Sequence, residues 1–112
     1  GGLLTAGGFF VLAQSAVPSE NHMLAAGYTY GTALTFANSA GMLVLRHSGT
    51  EIARVSWGST DHRTGASRQL SRGAVMSGDL GSASWCDSTD VYSTAAGGPY
   101  LGTPGMLNRP CP

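Results

Sequence analysis

A chain of 112 residues is long enough for one domain with a modest core and too short for two. Only 11% of its residues are charged, six basic against six acidic, so no net field draws it to a polyanion or an anionic membrane surface. Seventeen glycines and five prolines favour short strands and turns over long helices, and no run approaches the roughly 18 apolar residues of a membrane span.

In chain order, Leu3 to Gln14 sets a Gly-Gly turn before the apolar run Phe9-Phe10-Val11-Leu12-Ala13, which predicts a buried strand. Ser15 to Ala26 reads as a loop with room for one short helix after Pro18. Tyr28-Thr29-Tyr30 and Leu34-Thr35-Phe36 each alternate briefly and are strand candidates. The clearest local structure is a hairpin in which Met42 to His47 and Glu51 to Trp57 flank Ser48-Gly49-Thr50. Placing His47 opposite Glu51, Leu45 opposite Ala53 and Leu43 opposite Val55 gathers Leu43, Leu45, Val55 and Trp57 on one face, the expected core. The same register sends Val44, Arg46, Ile52, Arg54 and Ser56 to the other face, and a slip of one residue would bury both arginines. From Gly58 the periodicity fades, with Ser67 to Ser71 the one further strand candidate before Trp85. The tail from Tyr92 to Pro112 carries Gly97-Gly98-Pro99 and Gly102-Thr103-Pro104-Gly105, which oppose continuous strand or helix.

Two cysteines, Cys86 and Cys111, lack the paired spacing of a zinc site, and a disulfide between them is the better reading than a reactive thiol. A disulfide implies an oxidising compartment, hence the extracellular space or cell envelope. It would also close a loop that the Gly- and Pro-rich tail cannot hold by strand pairing.

Candidate chemistry is sparse. His22, His47 and His62 have no partner at metal-ligand spacing, and Asp61-His62-Arg63 are sequence neighbours, which rarely converge on one point. Asp79, Asp87 and Asp90 lack the alternating oxygen spacing of a calcium loop and read as turn formers. No nucleophile elbow and no phosphate loop occurs. Neither a catalytic residue, a metal nor a cofactor is expected, and the reading is of a non-enzyme. Trp57 reads as core, and Trp85 as a ring packed on the neighbouring disulfide. All six basic residues are arginines, and Arg46, Arg54, Arg68 and Arg72 are the candidates for a small anion or nucleic-acid patch.

Several segments, taken in order, resemble a known family. Gly8 to Ala13, Phe36-Ala37-Asn38-Ser39-Ala40-Gly41, Leu43-Val44-Leu45, Ser48-Gly49-Thr50 and Val55-Ser56-Trp57-Gly58 resemble successive strands and turns of the lamin tail domain. Ser67-Arg68-Gln69-Leu70, Trp85-Cys86, Leu101 to Gly105, Asn108 and Cys111 resemble its bacterial branch, so the likeness runs from about Leu3 to Cys111. It implies an all-β, immunoglobulin-like β-sandwich over residues 1–112, incomplete because the family's opening strands have no counterpart before Gly1. One sheet edge or one core slot should then be open. It further implies a non-catalytic binding or structural module of a secreted or cell-surface bacterial protein, with attached catalytic or surface domains as partners. The alternative is a DNA-binding module assisting an attached nuclease or phosphatase.

Overall fold

The computed structural model describes residues 4–95 and 97–112, so Leu3 and Ala96 lie outside the described residues. The chain forms a small all-β domain in which, among the described residues, strands pair two by two into four separate sheets, with two short helices between them. No described helix is long and apolar enough to cross a membrane.

The first sheet pairs β1 (Leu12–Ala13) with β2 (Tyr28–Thr29) in parallel, joined through the helix α1 (Pro18–Asn21). Pro18 opens that helix because its missing N–H would have no acceptor there. Asn21 locks its exit by donating to the carbonyls of Ser15 (2.9 Å) and Leu24 (3.0 Å). The five-residue buried strand expected from Phe9 is corrected here. Two of its residues are strand, Ala13 is buried, and Phe9 and Leu12 are exposed. A run apolar on both faces stays buried only with cover on both, and β1 has one partner strand. Leu34 to Phe36 is not strand either, because Ala33 donates back to Tyr30 (2.9 Å) in a turn through Gly31.

The hairpin is the largest element, β3 (Ala40–His47) against β4 (Thr50–Gly58). Leu45 stands opposite Ala53 and Leu43 opposite Val55, as the alternation requires, but the tip differs from the expected one. His47 pairs with Thr50, not Glu51, and Arg46 pairs with Glu51. Ser48 and Gly49 alone make the turn, both at positive φ (+48° and +80°), the two-residue geometry whose twist matches a hairpin. The shorter turn leaves Ile52 as an extra residue, a bulge on β4.

After a single turn of 3-10 helix at Ser59–Asp61, β5 (Arg68–Leu70) pairs antiparallel with β6 (Trp85–Asp87). Between them lies α2 (Arg72–Ser77), which no periodicity announced. It ends at Gly78, whose left-handed backbone lets its N–H reach Ala74 O at 2.8 Å. The last sheet pairs β7 (Val91–Ser93) with β8 (Tyr100–Leu101).

The tail is held largely by its cross-links. Cys86 and Cys111 form a disulfide with Cα atoms 5.8 Å apart, closing about 26 residues. In the chain-entropy account such a closure stabilises the fold by roughly 3.5 kcal/mol. Around it, Cys111 N–H donates to Ser71 Oγ (3.0 Å), Asn108 Nδ2 donates to Leu70 O (2.7 Å), and Gln69 Nε2 donates to Arg109 O (3.3 Å). The expectation that strand pairing cannot hold the tail is corrected for its first part, where β8 pairs with β7 and Leu101 exchanges backbone hydrogen bonds with Gly65 and Ser67. From residue 103 on, side chains replace the ladder that the prolines and glycines deny.

The expected core is not closed. Leu43 is 38% exposed and Leu45 56% exposed, while Val55 and Trp57 are half-buried. Among the described residues the buried apolar side chains are Ala13 and Ala74, and the buried polar ones are Asn21, Gln69, Ser88 and Ser93. The cause is topological: a two-stranded sheet can gather its apolar residues on one face, yet something else must cover them.

Candidate binding face

The face of β3 and β4 that carries Leu43, Leu45, Ala53 and Val55 looks onto Trp85 and Leu80 across an open groove. Toward Trp57 the groove widens into a cleft of about 330 Å³, whose far end is polar, with Asp61 and Arg68. Trp57 stands opposite Gly41 on β3, and its indole lies where a Gly41 side chain would be. Its Nε1 donates to Ala37 O (2.7 Å), and Phe36 packs on it at a centroid distance of 5.9 Å. Trp85 is oriented by donation from Nε1 to Leu80 O (3.2 Å), which points its ring at the groove. Beyond its place next to Cys86, Trp85 forms the wall facing the hairpin.

Both long edges of the hairpin are open. The sheet has two strands, and among the described residues neither β3 nor β4 makes backbone-to-backbone hydrogen bonds with any segment but the other. Among the named elements their substantial packing is likewise mutual, apart from the turn after β4; the loop before β3 adds Phe36 and Ala37 against Trp57.

On the opposite face lies a charged cluster made by the bulge. In an unbroken strand Glu51 and Arg54 would point to opposite sides, but the extra residue Ile52 resets the alternation. Arg54 therefore donates from Nε and Nη2 to both Glu51 oxygens (2.8 and 2.7 Å), and Arg46 Nη2 approaches the same carboxylate at 4.0 Å. The guanidinium holds the Glu51 carboxyl below its ordinary value, and Glu51 raises Arg54 in turn.

The four patch arginines do not converge as one basic surface. Arg46 and Arg54 share Glu51, whereas Arg68 sits at the groove end, 2.9 Å from Asp61 and 3.9 Å from Asp87. Arg72 heads α2 and makes no ion pair among the described residues.

The remaining candidates are dispersed. Asp61 accepts from Gly58 N–H (2.8 Å) as well as pairing with Arg68, His62 beside it is exposed, and Arg63 approaches Asp87 at 3.8 Å. His22 stacks on Tyr100 at 3.7 Å, and His47 is exposed next to the hairpin turn. Asp79 is a turn former as expected, accepting from Gly81 N–H (2.9 Å) and Ser84 Oγ (2.9 Å), bonds that lower its carboxyl below the ordinary value. Asp87 and Asp90 instead pair with arginines, Asp90 with Arg109 at 2.8 Å. Among the described residues, no three His, Cys, Asp or Glu side chains are grouped to hold a metal ion.

A second opening, about 610 Å³, lies between Val11, Met23, Tyr92, Pro104 and Leu107, with Asp90 and Arg109 in its wall. Burial raises Tyr92 above the usual phenol range, helped by the neighbouring Tyr100. This opening is lined mostly by loop residues beside β7, whereas the hairpin groove is lined mostly by the longest strands. No protein-family model matches the chain, and neither a curated protein nor a solved structure matches it.

Proposed function

We propose that this chain is a non-catalytic binding and structural module of a secreted or cell-surface protein, an immunoglobulin-like sandwich of the lamin tail type. Its hairpin accepts an apolar, extended segment. The observation that carries this reading is the open hairpin: eight- and nine-residue strands with free edges and an apolar face set against Trp85. An edge of this length offers unpaired backbone groups to an added strand, and alternate side chains of that strand would meet the Leu43 and Leu45 stripe. The disulfide is compatible with an oxidising location. The DNA-binding alternative has less support, because Glu51 and Asp61 already engage three of its four arginines.

The test is a titration with an extended peptide alternating apolar and polar residues, against a peptide of the same composition in blocks. Binding of the first alone, seen as a tryptophan fluorescence change that Leu43→Asp abolishes, is the expected result. Equal responses to both peptides, or reproducible turnover of esters, phosphodiesters or DNA by the purified chain, would count against the reading.

A further inference from the structure

We propose that the segment accepted by the hairpin is β3 of a second copy of this chain, so that two hairpins join into a continuous four-stranded antiparallel sheet. This rests on the strand-accepting reading above and names its partner.

Three observations select this edge and this occupant. The two edges are unequally guarded: β4 carries the bulge at Ile52, which twists an edge away from pairing, whereas β3 runs eight residues without a proline, a lysine or an extra residue. The charges also permit self-pairing. A two-fold axis normal to the sheet at Val44 sets Val44 against its own copy, Leu43 against Leu45 of the second copy, and Met42 against Arg46 of the second copy. No like charges stand directly opposite one another; Arg46, the one arginine on β3, is beside Glu51, and Arg54, whose Nη1 reaches Met42 at 2.7 Å, is paired with the same carboxylate. The chain's formal net charge of zero adds no long-range repulsion. The apolar stripes also join. Because the axis preserves the faces, Leu43 and Leu45 of both copies form one row, covering side chains that are 38% and 56% exposed in the single chain.

Edge pairing of one strand buries less than a typical obligate interface, so the dimer should be a concentration-dependent equilibrium. Sedimentation velocity over a dilution series should show monomer giving way to dimer. Both native cysteines are in the disulfide, so Val44→Cys introduces the one free thiol. Mild oxidation should cross-link it across the axis, while Ile52→Cys on the bulged edge should cross-link far less. Val44→Glu and Val44→Lys each set like charges against their own copy on the axis and should loosen the dimer severalfold, and mixing the two variants, so that opposite charges meet there, should restore it. Merely damaging substitutions would not rescue one another.

A chain that stays monomeric at every concentration, or that cross-links as well through position 52 as through position 44, overturns the proposal. If the monomer still binds the alternating peptide, the strand-accepting reading survives and the second copy is the wrong partner. If it binds neither, both fall.

Discussion

Glu51 and Arg54 face each other because one residue, Ile52, is out of step with the strand opposite. The alternation in the sequence assigns Arg54 to the outer face, and the bulge brings Glu51 to join it. Since the folded-state value of Glu51 is lowered, its contribution is fully present above the ordinary value of about 4.5 and is lost as pH falls through the lower folded value. Asp79, lowered chiefly by Gly81 N–H, acts in the same direction. Both carboxylates are exposed, so solvent screening keeps each effect small. Glu51→Gln should therefore leave neutral-pH stability nearly unchanged and flatten the acid limb of a stability–pH curve, measured by urea unfolding from neutral pH downward. An acid limb as steep as the parent's would show that the pairing is not populated in solution. Residue-scale signals were legible where chemistry is local: Gly49 marks the place of the turn and Asp79 its own loop. The Arg68–Asp61 and Asp90–Arg109 pairs were not, because their partners come together only through the fold.

At the scale of elements, the hairpin register from Leu43 to Leu45 follows from period-two patterning, since a slip of one residue would turn apolar and charged positions over together. The two-residue turn and the bulge did not follow, because Thr50 suits a loop and a strand end equally well. The helix α2 has one sequence signal, Gly78 just past its end, within a stretch too rich in small residues to show a period. The end of the tail, residues 103–112, shows most clearly how a non-strand segment is fixed. Replacing both Cys86 and Cys111 by serine should cost about 3.5 kcal/mol, read as a shift in the urea midpoint. Amide exchange should quicken first in residues 103–111, where Asn108, Arg109 and Cys111 bond to β5 and to Ser71. If protection were lost evenly over the chain, the disulfide would be supporting the whole fold and not anchoring the tail.

Among the described residues the molecule is a set of paired strands, and the apolar face of its hairpin is only partly covered, by Trp85 and Leu80 across an open groove. Leu45 measures this directly. In a closed core, Leu→Ala costs about 2 to 5 kcal/mol through lost burial and a cavity. With Leu45 56% exposed, Leu45→Ala should cost the isolated chain under about 1 kcal/mol. A larger loss in dilute monomer would mean that the face is covered in solution. Under conditions where two copies associate, the same substitution should instead weaken the association. By itself, the sequence determined the strand-rich class, the hairpin and its central register, the disulfide and the punctuated tail, because each rests on alternation, turn chemistry or cysteine pairing within reach of local rules. Tertiary structure alone decided that Trp85 faces the hairpin, that the arginines are divided among carboxylates, and that Leu43 and Leu45 remain open. Alternation says which residues share a face; what covers that face depends on which segments arrive beside it, and no periodicity along one strand encodes that.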